Sequence, residues 1–388
     1  MPDSTALTSA TVYRLSLPLD RTLVNGRYRI DSLEFVVLEL SAEDYVGTGY
    51  AFVFHPRQAQ ALEALVTDLT EIVVGHQIGS VRERWQQLHQ RMLYIGQTGM
   101  ALMALSVVDT ALWDVASQAR GLPLYALLGA PRREVPVYLS GGWLSYSVQE
   151  LVADAIGGRD QGVPRYKMKV GHNDWHTDVA RVTALREAVG DTVELMVDAN
   201  QAWDLATALE AGRAFEDLGV TWFEEPLPAF DVEGYRVLTE SLKLSVATGE
   251  SLFTRAEFEQ FAERSAASVL MPDLMHCGGP TGFLDACAQA EAHGVAVSSH
   301  LFVEASSHLI ASRAPGSLVE YMPGWSAPLF EPGREFEDGN LRLSDQPGIG
   351  VRLTHEAVER YSSSGHGTAV VAAQERGGSV LSVKSARE

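Results

Sequence analysis

The chain has 388 residues and a formal net charge of −20, an acidic excess that argues against nucleic acid or an anionic membrane surface as partner. Hydrophobic residues make up 46% and charged residues 21%, a globular balance with material for a large core. Its two cysteines, Cys277 and Cys287, are too few and too close for a disulfide framework. Met1–Ala10 carries no basic or apolar leader, and no apolar run approaches about 20 residues, so the expectation is a cytoplasmic protein without a membrane span.

Residues from Thr11 to Phe54 read as antiparallel strands, at Val12–Leu17, Ser32–Leu40 and Val46–Phe54. A polar loop from Asp20 to Arg29 joins the first two, with Asn25-Gly26 as turn signal and Arg21, Arg27, Tyr28 and Arg29 around it. Helical patterns follow at Ala59–Val73, Val81–Met92 and Met100–Ala119; in the last, Leu102, Leu105, Val108, Ala111, Leu112 and Val115 recur at helical spacing. Strands followed by helices make an α+β unit over residues 1–131.

From Val135 short apolar strands alternate with helices. The strands are Val135–Ser140, Arg165–Val170, Glu194–Asp198, Thr221–Glu224, Leu244–Thr248, Ser268–Met271, Val295–Ser298 and Leu318–Glu320. Their starts lie roughly 23 to 30 residues apart, the length of a βα unit, and eight in a row read as an α/β fold, a parallel (β/α)₈ barrel over residues 132–322. An open doubly wound sheet competes, but the chain has no Gly-x-Gly-x-x-Gly turn to favour it. Residues 323–388 give short strand-like pieces, Asn340–Leu343 and Gly350–Leu353, expected to pack back on the first unit. A Ser-, Gly- and Ala-rich tail from about Ser362 is expected to be poorly ordered.

The C-terminal strand ends of such a barrel carry its chemistry. In Arg165-Tyr166-Lys167-Met168-Lys169, the two lysines point to one side, and like charge is expected to depress at least one pKa towards that of a base. Asp198, Glu224 and Glu250 end the next three strands. Three converging carboxylates repel unless a cation sits between them, and all-oxygen ligands favour Mg²⁺ before Mn²⁺. Glu225 is the alternative to Glu224. Asp273 and His300 end neighbouring strands, a pairing that fixes a tautomer and builds a His base. His276 has no such partner in view, and Cys277 reads as a packing residue.

Lys167-Met168-Lys169, Val197-Asp198-Ala199-Asn200-Gln201, Trp222-Phe223-Glu224-Glu225-Pro226, Met271-Pro272-Asp273 with Gly278-Gly279, and Ser298-Ser299-His300-Leu301-Phe302 together resemble the mandelate racemase subgroup of the enolase superfamily. The helix Asp109-Thr110-Ala111-Leu112-Trp113-Asp114 with Leu127-Leu128-Gly129 fits the same resemblance, which covers nearly the whole chain. It implies a modified, enolase-like barrel with an N-terminal capping domain, and a homo-oligomer, dimer or octamer. It also implies Mg²⁺ on Asp198, Glu224 and Glu250, Lys169 as base on one face of the α-carbon with Lys167 assisting, and His300 supported by Asp273 on the other. Glu320 would stay protonated and donate to the enediolate oxygen, with Asn200 a further polar contact. The implied reaction is removal of the proton α to a small substrate's carboxylate. A racemase or epimerase of a 2-hydroxy acid ranks first, an acid-sugar dehydratase second, and a carboxylate-binding barrel without turnover third. Arg27, Tyr28 and Arg29 depart from the racemase's apolar cap loop and point to a more polar substrate.

Overall fold

The computed structural model describes residues 5–130, 132–333, 335–363 and 367–371. The chain opens with an antiparallel sheet of β1 (Leu7–Val24), β2 (Arg29–Ala42) and β3 (Tyr45–Val53), followed by helices α1 (Pro56–Val73), α2 (Val81–Arg91), α3 (Met100–Ala119) and α4 (Leu124–Leu127). The expected ten-residue polar loop is mostly strand. Leu23 pairs with Ile30 and Val24 with Arg29, so only a tight turn at residues 25–28 is left. Cross-strand pairing of this kind joins residues that composition alone marks as loop, so a composition rule does not see it.

Helix α3 is long and apolar enough, by length and composition alone, to cross a membrane, contrary to the expectation that no such run exists; 89% of its apolar window is buried within the protein. It lies on β3 so closely that a Cβ at Gly47 or Gly49 would meet the Ala111 and Val107 carbonyl oxygens at 2.2 and 2.0 Å. Glycine is required here for contact rather than for flexibility.

The barrel strands are β4 (Glu134–Gly141), β5 (Arg165–Lys169), β6 (Glu194–Asp198), β7 (Val220–Glu224), β8 (Ser245–Thr248), β9 (Val269–Leu270), β10 (Ala296–Val297) and β11 (Val319–Tyr321). Between them run α5 (Val148–Asp160), α6 (Trp175–Val189), α7 (Leu205–Asp217), α8 (Val232–Ser241), α9 (Arg255–Glu263), α10 (Pro280–Ala292) and α11 (Val303–Ala311). All eight expected strands are present and parallel, and the ring closes through the β11–β4 pairing and the Ser298–Leu318 bridge. Among the described residues seven helices, not eight, join them: after β11 the chain leaves the barrel.

A layer of inward side chains, Tyr138, Met196, Trp222, Ala247, Val269 and Met271, fills the barrel. It forms a packed floor beneath the mouth.

Beyond β11 lie β12 (Phe330–Glu331), β13 (Phe336–Glu337), β14 (Asn340–Arg342), β15 (Arg352–Leu353), α12 (His355–Tyr361) and β16 (Thr368–Val371). One expectation is corrected here: β14 pairs with the barrel strand β4, not with the first unit, because Leu341 fills the place beside Val135. The last described strand does return to the cap sheet, pairing Thr368–Val371 with Ser9–Val12. Apart from residues 367–371, the rest of the tail beyond Ser363 lies outside the described residues.

Candidate active site

The register of the parallel strands assembles the site. Lys169 lies beside Asp198, and Asp198 beside Glu224. Side chains two apart share a face, so Lys167 and Lys169 both enter the barrel mouth. Carboxylate oxygens of Asp198, Glu224 and Glu250 lie within 4.8 Å of one another. Glu225 turns away, accepting from the Gln201 amide at 2.5 Å and from Thr248 Oγ1 at 3.2 Å. The choice between the adjacent glutamates therefore falls on Glu224.

The donor set fits a divalent cation. All three ligands are hard carboxylates, and Glu250 Oε2 is buried without a hydrogen bond. Burial pushes the Glu224 carboxyl up, Lys167 pulls it back, and Asp198, Glu320 and Glu250 push it up again, to about 8. Repulsion of that kind is what a shared cation relieves. Asn200 donates to Asp198 by backbone and side chain, at 2.8 and 3.1 Å, while its own Oδ1 is left without a partner.

Lys169 and His300 reach the trio from its two ends. Lys169 Nζ lies 2.5 Å from Asp198 Oδ2, and His300 Nε2 lies 3.3 Å from Glu250 Oε2. His300 Nδ1 meets Asp273 Oδ2 at 2.6 Å, so Nδ1 carries the hydrogen and Nε2 faces the cavity. Burial lowers the His300 pKa, but Glu250, Asp273 and Glu320 raise it to about 10.

Two electrostatic expectations are corrected. Lysine–lysine repulsion does not win: burial and Lys167 lower the Lys169 pKa, yet Asp198 leaves it above its ordinary value. Lys167, against Glu224 at 2.5 Å and Glu320 at 2.8 Å, stands well above. Nor is Glu320 held protonated. Burial raises it, but Lys167, His300 and Lys169 hold it below the usual carboxylate range. Opposite charges in direct contact outweigh like charges farther off.

The cavity above these groups has a volume of ≈ 240 Å³. Of the turn residues expected to meet substrate, Tyr28 lines it, whereas Arg27 and Arg29 do not. Arg27 donates to Gln201 Oε1 at the rim, and Arg29 lies in solvent near Asp31. The turn still seats on the barrel, where a Cβ at Gly26 would meet the Ala199 carbonyl oxygen at 2.6 Å.

Several residues escaped the sequence reading. His276 lines the cavity, and its Nδ1 donates to the Glu250 carbonyl oxygen at 2.6 Å, a backbone partner that no side-chain pattern announces. Arg181, buried, donates to the carbonyl oxygens of Lys169, Gly142 and Trp143 and so fixes the end of β5. Five aromatic rings form a continuous wall. Tyr28 meets Phe54 at 5.4 Å, Phe54 meets Phe52 at 5.9 Å, Phe52 meets Trp325 edge-on at 5.5 Å, and Trp325 stacks on Trp143 at 6.0 Å. The Trp143 ring ends the wall, 5.5 Å from Lys169 Nζ. Asn200, Gln201, Glu225, Leu301 and Phe302 all take left-handed backbone, with φ between 36° and 64°. Such conformations gather where a site over-determines the chain.

Comparison with known proteins agrees with this geometry. Residues 16–129 match the N-terminal domain of the mandelate racemase / muconate lactonizing enzyme family, and residues 150–358 match the enolase C-terminal domain-like family. The chain is 33% identical to L-talarate/galactarate dehydratase of Salmonella typhimurium, over 87% of this chain and 85% of that one. The structure of that enzyme liganded with Mg and L-lyxarohydroxamate superposes with a TM-score of 0.90 at 30% identity, covering 95% of each chain. L-Rhamnonate dehydratase of Saccharopolyspora erythraea is 32% identical over 86% of each chain, and 3,6-anhydro-alpha-L-galactonate cycloisomerase of Streptomyces coelicolor 32% over 90% and 97%. The sequence-ranked order of activities shifts with these relatives: the dehydratase has more support than the racemase. This chain belongs to the mandelate racemase / muconate lactonizing enzyme family of the enolase superfamily.

Proposed function

We propose that the protein is a Mg²⁺-dependent sugar-acid dehydratase, with Asp198, Glu224 and Glu250 holding the cation, Lys169 as base and His300 as acid. The observation that carries the reading is that Lys169 and His300 reach the carboxylate trio from its two ends. A proton α to a carboxylate is a very weak acid, and its removal places a second negative charge on the substrate. A divalent cation between the carboxylates supplies positive charge that steadies this dianion and relieves the carboxylate pull on Lys169.

The protein's own groups do the rest. Lys169 Nζ takes the C2 proton, and the electron pair left behind forms the C2–C3 double bond. His300 Nε2 gives its proton to the C3 hydroxyl, which departs as water. Asp273 holds that imidazole in place. The Lys167 ammonium, with Trp222 Nε1 donating to Glu224 Oε2 at 2.8 Å, fixes the middle carboxylate of the trio. The enol then becomes a 2-keto-3-deoxy acid. Two opposed bases also suit exchange of one proton across C2, which keeps racemisation of a 2-hydroxy acid as the second reading.

The test is a panel of aldonates and aldarates incubated with the protein and Mg²⁺, assayed for 2-keto-3-deoxy product. Water loss from at least one sugar acid is expected. Inversion of a 2-hydroxy acid with no water lost from any sugar acid would replace the dehydratase by the racemase.

A further inference from the structure

The wall and the floor of the cavity differ in charge. Among the described lining residues, groups able to carry positive charge are Lys169, His276 and His300, all at the barrel rim beside the carboxylate trio. The capping side offers rings and neutral polar groups, the latter being Asn25, Tyr28 and Gln58. No lysine precedes Lys167 in the sequence. Arg27 is held by Gln201 outside the cavity lining, and the Arg29 side chain is 71% exposed, 4.0 Å from Asp31.

A substrate whose first carboxylate sits on the trio extends its far end towards this side. A second carboxylate there would exchange part of its water for aromatic carbon with no lining cation to pair with it, which is unfavourable. An uncharged, C–H-rich end gains from the same rings. Asn25, Tyr28 and Gln58 can still meet hydroxyls between the two ends.

We propose that the cavity selects a sugar acid with one carboxylate and an uncharged far end, a terminally deoxygenated aldonate, over the dicarboxylic sugar acids. The proposal rests on the dehydratase reading above and narrows its substrate class.

The experiment compares kcat/KM for L-rhamnonate and L-fuconate with that for galactarate and L-talarate, using the full chain with Mg²⁺ and following 2-keto-3-deoxy product. The better deoxyaldonate is expected to exceed both diacids by at least about 100-fold. Equal rates, or a preference for a diacid, overturn the specificity while leaving the dehydratase reading in place. Keto product from no sugar acid, with inversion of mandelate, removes the dehydratase reading and the specificity with it. A second arm places a cation on the wall: Phe54→Arg, at a position 37% exposed, is expected to raise the diacid-to-deoxyaldonate ratio about 10-fold. An unchanged ratio puts the far end of the substrate elsewhere and overturns the proposal.

Discussion

The barrel floor and the aromatic wall enclose one cavity but are built by opposite rules. The ionisable groups above the packed floor sit at a strand end or within three residues past it, so Lys169, Asp198, Glu224, Glu250, Asp273 and His300 arrive at nearly regular intervals, one βα unit apart. The wall takes one ring from the β1–β2 turn, two from the end of β3, one from the loop after β4 and one from the segment after β11. A periodic scaffold turns a linear sequence into a readable ring of functional groups. A surface pieced together from distant segments has no period to read.

The largest effect that could break this contrast lies on the floor. Lys169→Ala and His300→Asn are each expected to lower kcat by about 10²–10⁴-fold, measured on whichever sugar acid loses water, with the fold kept by circular dichroism. A smaller loss at either position would mean that the regular ring is not where the chemistry happens.

Next comes the cation. Chelation is expected to abolish turnover and added Mg²⁺ to restore it, and calorimetry should show Glu250→Gln binding Mg²⁺ at least about 10-fold more weakly. Full activity in chelator would leave the clustered carboxylates without a purpose.

The wall should respond more mildly and in a different quantity. Trp325→Ala removes the ring that joins Phe52 to Trp143. It is expected to cost about 3–5 kcal/mol of stability by denaturant unfolding and to raise KM more than it lowers kcat. A drop confined to kcat would assign the ring to the floor's work instead.

The effect least tied to turnover lies outside the site and sharpens the contrast by showing a buried carboxylate with a structural task. Asp109 on α3 accepts from the backbone N–H of Thr281 at 2.8 Å and from its hydroxyl at 3.0 Å, tying the cap to the start of α10. Burial pushes its carboxyl up to about 8, against the pull of the Thr281 hydrogen bonds. A folded pKa above the unfolded one means stability is fullest below about pH 4 for this group and falls as pH rises towards 8, by up to about 1.4 kcal/mol per unit. Asp109→Asn is expected to flatten that slope in unfolding midpoints taken between pH 5 and 8; an unchanged slope would move its origin to another group.

How far the sequence could be read follows from the same contrast. The eight strands, the three long cap helices and the ionisable strand ends were legible, because alternation and spacing are local properties of the chain. Protonation states were not, because they depend on which opposite charge comes closest. Lys167 and Lys169 share a strand, but Glu224 and Asp198 reach them from β7 and β6 and reverse the expected shift. The cap turn misled for a related reason. Arg27, Tyr28 and Arg29 are neighbours in sequence, yet ribbon geometry sends one to Gln201, one to the cavity and one to solvent.

The most direct test of the two-base floor is proton NMR in D₂O with Mg²⁺ and a sugar acid, comparing the native enzyme with His300→Asn. The native enzyme is expected to give a 2-keto-3-deoxy acid carrying solvent deuterium at C3, while His300→Asn exchanges the C2 hydrogen for deuterium and releases no water. A His300→Asn enzyme that dehydrates at the native rate, or a Lys169→Ala enzyme that still exchanges C2, would contradict the account.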